Sequence, residues 1–146
     1  MDTLILEEKL ESLRRCIARI ENKRAESAQQ LRADVDRQDI LTLNLTRAVP
    51  LCVDMAMHII TESDEPMPQT MGEAFDALAH LGVIDGQLGD RMKAAVGFRN
   101  IAVHSYQSVN WDIVHTITHE GLDDFYRFAR AISAQIEAGG DDQGCR

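Results

Sequence analysis

Apolar side chains recur along this chain at spacings of three and four. Leu6, Leu10, Leu13, Ile17 and Ile20 form the first such stripe, which is one face of a helix and predicts one over residues 3–23. The polar stretch 22–34 reads as a turn or a short helix. A second long helix is predicted over 36–62, with Leu41, Leu45, Ala48, Leu51 or Cys52, Met55 and Ile59 on its stripe. Pro50 lies inside it and is expected to kink it, because proline gives no N–H to the preceding turn. Thr61 to Gln69, with Pro66 and Pro68, reads as a loop. Thr70 stands three residues before Glu73, a capping-box pattern, and Phe75, Leu78 and Leu81 follow at helical spacing until Gly82.

A fourth helix runs from Asp85 through Leu88, Met92, Ala95 and Val96 to His104. Ser105 to Asn110 breaks it. Val114, Ile117, Leu122, Phe125, Ala129, Ile132 and Ile136 then form a long fifth stripe, which Gly139–Gly140 are expected to end. No segment alternates with the period of two that marks a strand. The expectation is an all-α antiparallel bundle of about five helices. It occupies residues 1–138 as one domain, with 139–146 as a flexible tail.

Composition narrows the setting. With 146 residues the chain is one domain's worth and needs no disulfide or metal to fold. No stretch reads as the run of about 20 apolar residues that spans a membrane. Three cysteines, Cys16, Cys52 and Cys145, with no C-x-x-C, fit a reducing cytoplasm. The net charge of -9 argues against a protein that coats nucleic acid. That charge is uneven: residues 1–49 are neutral overall, and all of the excess acid lies in 50–146. A small local basic site remains compatible with it.

One stretch concentrates chemistry. Gly97-Phe98-Arg99-Asn100-Ile101-Ala102-Val103-His104-Ser105-Tyr106 places a guanidinium, an amide, an imidazole and a phenol at the end of a helix. On an ideal helix turning about 100° per residue, Arg99 and Tyr106 share one stripe, and Asn100 and His104 another. These groups suit RNA cleavage, in which the ribose 2′-hydroxyl attacks its own phosphate. An imidazole can take or give the proton near neutral pH. A guanidinium can grip the phosphate as charge develops. None of these steps needs a metal. The plainer reading is a cationic pair that offsets the helix dipole.

The segment Arg99 to Tyr106 resembles the R-x4-H-x-Y motif of HEPN-domain proteins, in particular the HepT group. The likeness extends over about residues 3–136. It includes Q-D-I-L (38–41), C-V-D-M-A-M-H-I-I (52–60), P-M-P-Q-T-M-G-E-A-F (66–75), L-G-V-I (81–84) and V-G-F-R-N (96–100) in order and spacing. The resemblance implies a homodimeric helical toxin of a type VII toxin–antitoxin pair that acts as a metal-independent endoribonuclease without cofactor. It further implies an MntA-type minimal nucleotidyltransferase antitoxin that transfers AMP to the motif tyrosine, here Tyr106. On that basis His104 is expected to be the general base or acid, Arg99 to bind the scissile phosphate, Asn100 to orient, and Tyr106 to be the control point. The alternative is a non-catalytic helical subunit that binds substrate or partner for a minimal nucleotidyltransferase.

Other residues invite a role. His115 and His119 are four apart, a chelating spacing, but two ligands are too few for a metal site. His58 and His80 read as packed or capping residues. Asp54 reads as a hydrogen-bonded core acid or bundle-edge residue, with orientation of Arg99 or His104 as the functional alternative. The cations from Arg14 to Arg24, flanked by Glu11 and interrupted by Glu21, read as a solvated face, with an RNA-guiding rim as the alternative.

Overall fold

The computed structural model describes residues 2–144, with side chains up to residue 139. The first helix, α1 (Thr3–Lys23), starts where the Asp2 carboxylate accepts the Leu4 N–H at 3.1 Å. It buries Leu6, Leu10, Leu13, Ile17 and Ile20, the predicted stripe. A five-residue helix, α2 (Ala28–Arg32), follows behind the Ser27 cap. It is held from α3 (Val35–Ile60), where Gln38 donates to the carbonyls of Leu31 at 2.8 Å and Arg32 at 3.1 Å. The carbonyls at the end of a helix lack partners within it, so this buried amide completes α2.

The central helix α3 packs against α1, α2, α4 and α5. Covered on several sides, it is apolar over more than one stripe. By length and composition alone it is long and apolar enough to cross a bilayer, with a mean hydropathy of 1.3 over an 18-residue window, 56% of it buried inside the fold. Burial among its neighbours, α6 included, accounts for that composition, because a packed interior demands the same apolar residues that lipid does. The helix continues through Pro50.

Thr70 caps α4 (Met71–His80) by accepting the Glu73 N–H at 3.2 Å, and the Glu73 carboxylate reaches back to the Gln69 N–H at 2.8 Å. The helix ends at Gly82, whose φ of 76° lets Val83 N–H close on Leu78 O and Gly82 N–H on Ala79 O. Asp85 then caps α5 (Gly86–His104) through the Leu88 N–H at 2.7 Å.

Asn110 caps α6 (Trp111–Thr116), which passes without a break through a π-turn (Ile117–Gly121) into α7 (Leu122–Gly144). Gly139 and Gly140 lie inside α7 instead of ending it. Each glycine costs a helix about 1 kcal/mol relative to alanine but still supplies its N–H and C=O. The predicted tail lies outside the described residues for 145–146, and for side chains beyond 139. The core is closed by Phe75 of α4 against Phe128 of α7, edge to face at 5.7 Å, with both rings 0% exposed. Five long helices, with the α6–α7 run taken as one, and the short α2 make the all-α bundle that the periodicity predicts. No strand occurs among the described residues.

Candidate active site

The four motif residues sit at the C-terminal end of α5 and just beyond it. Arg99 is half-buried. Its Nη1 donates to Asn100 Oδ1 at 3.3 Å and lies 3.9 Å from Met71 Sδ, while its Nε is buried with no acceptor. No carboxylate pairs with it among the described residues. The guanidinium is thus positioned on one side by an amide and a thioether, and its charge is left for an anion. His104 ends the helix with its ring exposed.

Tyr106 departs from the ideal-helix expectation. The Ser105 backbone (φ -146°, ψ 55°) leaves the helical region, though its N–H still bonds Ile101 O at 2.8 Å. The chain then makes a single 3-10 turn (Tyr106–Ser108). Tyr106 therefore does not share a helix stripe with Arg99. Its phenol donates instead to Asp39 Oδ1 of α3 at 3.0 Å, and its ring meets Trp111 edge to face at 6.0 Å.

Partial burial first, then the hydrogen bond and charge of Asp39, raise the phenol above its ordinary pKa near 10.0, and Thr42 acts in the opposite direction. The Thr42 hydroxyl is itself buried without a hydrogen-bond partner. The ring remains 42% exposed.

The structure thus joins Arg99 to Asn100 directly, and Tyr106 to Asp39 and Trp111, with the unpaired Thr42 hydroxyl nearby. Asp39 and Met71 lie in segments that carry the resemblance but receive no role from the sequence, and Trp111 is not singled out there. Asp39 is 67 positions from its partner and sits among polar residues of a helix edge, so no local spacing marks it.

The other candidates resolve structurally. Asp54 is exposed and pairs with Lys9 at 3.2 Å, which is the bundle-edge reading. His119 Nε2 lies 2.7 Å from Ala25 O and its ring is 4.4 Å from that of His115, so this pair fastens the π-turn to the end of α1. His80 stands 3.9 Å from Glu65. Three or more clustered metal-ligating side chains do not occur among the described residues. Arg14 and Arg15 face Glu11, while Arg15, Arg19 and Arg47 rim a groove between α1 and α3. A mostly apolar cavity of 310 Å³ lies between α5 and the π-turn, lined by Met92, Phe98, Ile117 and Phe125. None of the four motif residues lines it.

Known proteins resemble this chain in sequence and fold. A family model described as Ribonuclease HepT-like matches residues 10–132. The chain is 37% identical over 131 residues to the mRNA nuclease HepT of Shewanella oneidensis, covering 90% of this chain and 98% of that protein. A solved structure of a tri-AMPylated HEPN toxin from Shewanella oneidensis in complex with an MNT antitoxin superposes with a TM-score of 0.83 at 37% identity, over 92% of this chain and 99% of that one. A toxin–antitoxin structure with AMP-PNP matches at a TM-score of 0.81 and 36% identity, over 90% and 99% of the two chains.

Proposed function

The chain belongs to the ribonuclease HepT-like family, and from that premise we propose that it is the endoribonuclease toxin of a type VII toxin–antitoxin pair, cleaving RNA without a metal. The observation that carries this reading is the state of Arg99. A half-buried guanidinium held by Asn100 Oδ1, with no carboxylate beside it, is arranged for an anion that arrives from outside. His104 stands five residues on, at the helix end.

Arg99 holds the non-bridging oxygens of the scissile phosphate and stabilises the charge that grows on them. His104 acts as general base or acid: it takes the proton of the 2′-hydroxyl as that oxygen attacks phosphorus, or gives one to the departing 5′-oxygen. Asn100 orients Arg99. The products are a 2′,3′-cyclic phosphate and a 5′-hydroxyl. DNA has no 2′-hydroxyl and survives.

Two copies of the motif supply the second proton-transfer group if the chain is a homodimer. The end of α5 and the start of α6 present exposed Ile101 and Ile113 around a shallow groove at Gly97, which supports self-association there. The relatives described as an AMPylated toxin bound to an MNT antitoxin support a minimal nucleotidyltransferase of the MntA type as partner and Tyr106 as the acceptor of AMP. An adduct at Tyr106 adds a bulky anion next to the motif and repels RNA phosphate. The domain expected over residues 1–138 continues along α7 to Gly144, and the setting is the cytoplasm.

The test is RNA cleavage in excess chelator by the wild type and by Arg99→Ala and His104→Ala. The wild type degrades RNA and both variants lose activity. Equal degradation by all three, or a requirement for metal, overturns the assignment.

A further inference from the structure

Asp39 is an exposed carboxylate that makes no salt bridge among the described residues and whose hydrogen bond is to the Tyr106 phenol, at 3.0 Å. An exposed bond of this kind adds little to stability. It does fix the phenolic hydrogen toward α3. The oxygen lone pairs are then turned away from Asp39, on a residue that is 42% exposed. Trp111 holds the ring edge to face from the other element, and Thr42 places a hydroxyl without another partner near the same oxygen. A nucleophile whose proton is already hydrogen-bonded to a base is the pattern of an activated hydroxyl.

We propose that Asp39 is the general base for nucleotide transfer to Tyr106, so that the acceptor protein supplies part of the catalytic apparatus for its own modification. This rests on the reading of Tyr106 as the AMP acceptor. The co-reactant is ATP, brought by the nucleotidyltransferase. Tyr106 Oη attacks the α-phosphorus and a new O–P bond forms. The bond from that phosphorus to the bridging oxygen breaks, and pyrophosphate leaves with the electron pair. The phenolic proton passes to Asp39, which is exposed and returns it to water.

The resting carboxylate also opposes a free phenolate, since two negative charges would face each other across 3.0 Å. Proton loss is thereby confined to the moment when phosphorus withdraws charge from the oxygen. Thr42, a neutral donor on the same helix, is the group placed to support the oxygen as its proton leaves. Asp39 is the charged group that acts on the phenol.

The experiment reconstitutes the full chain with its nucleotidyltransferase partner and ATP, and follows adduct formation by intact-protein mass spectrometry from pH 6 to 9. The variants are Asp39→Asn and Asp39→Glu, each checked for helicity, with Tyr106→Phe as the unmodified control. Loss of a general base typically costs on the order of 10²–10⁴-fold, so Asp39→Asn should be at least about 100-fold slower at pH 7. Its rate should then climb roughly tenfold per pH unit, because it depends on pre-formed phenolate, while the wild-type rate changes far less. Asp39→Glu should recover part of the rate.

Asp39→Asn modified at the wild-type rate, or slowed equally at every pH, overturns the base role. No adduct on the wild type removes the acceptor reading itself, and this inference with it. An adduct on the wild type with Asp39→Asn unchanged removes this inference alone.

Discussion

Replacing Arg99 by alanine separates what this residue does for RNA from what it does for the fold. Within the protein its guanidinium has two contacts, Asn100 Oδ1 at 3.3 Å and Met71 Sδ at 3.9 Å, and its buried Nε has no acceptor. Alanine removes one hydrogen bond to a neutral amide, about 1 kcal/mol. It also removes a desolvated donor, whose cost of about 1–3 kcal/mol lies at the low end here because the residue is only half-buried. The two nearly cancel, so the change in unfolding free energy should stay within about 1 kcal/mol.

At the phosphate the balance is one-sided. A preorganised donor aimed at developing charge is worth about 2.7–4 kcal/mol, or roughly 10²–10³ in rate. Arg99→Ala should therefore lose two to three orders of magnitude in initial rate on an RNA oligonucleotide while melting within about 4 °C of the wild type. Arg99→Lys keeps the charge but not the planar fork, and should fall between the two. Cleavage by Arg99→Ala within twofold of the wild type would refute the reasoning. So would a destabilisation of several kcal/mol, because Arg99 would then be a structural residue whose loss lowers activity only by unfolding the chain.

Four further outcomes are expected. Phe128→Ala removes a ring that is 0% exposed and stacked on Phe75, and should cost about 3–5 kcal/mol in urea-induced unfolding; a loss below 1 kcal/mol would mean that α4 and α7 are not joined there. The double variant Ile101→Asp/Ile113→Asp should sediment as a monomer at concentrations where the wild type is dimeric, and an unchanged dimer would place the interface elsewhere. Asp34 caps α3 by accepting the Arg37 N–H at 3.0 Å, a bond that holds its carboxyl below the ordinary value near 3.8. Its folded-state pKa is the lower one, so its contribution is complete above about pH 4 and is lost as pH falls further; Asp34→Ala should flatten the acid limb of stability against pH, and an unchanged limb counts against the cap. Burial raises both the Cys16 and Cys52 thiols, Cys52 well above its ordinary range. Both should therefore react slowly with iodoacetamide in the native state, and rapid alkylation of Cys52 would contradict its burial.

The helices were legible because each buries one stripe, and Leu6 to Ile20 or Leu122 to Ile136 repeat at the helical period. The caps at Thr70 and the stop at Gly82 were legible for local reasons: a hydroxyl three residues before a carboxylate, and a backbone that needs positive φ. Gly139 and Gly140 misled because a glycine pair weakens a helix without removing any of its hydrogen bonds. Tyr106 was found by its motif but misplaced, since one residue of non-helical backbone at Ser105 carries it from the α5 stripe to α3. The pairing of Asp39 with Tyr106 was not legible, although Asp39 lies in the Q-D-I-L segment that carries the resemblance. Its pairing depends on how two distant helices meet, and pair distances of that kind are a product of packing, not of local spacing.

The π-turn at Ile117–Gly121 holds one residue more per turn than the helices on either side of it. It therefore resets the angular phase between α6 and α7 by about 100°. Without that offset, a single helix could not point Trp111 at Tyr106 and still keep Phe125 and Phe128 in the core. The bulge acts as a mechanical indexing step: it ties the aim of Trp111 at Tyr106 to the length of the chain. Deleting one residue there would leave both helices intact and turn Trp111 away from the ring it now supports.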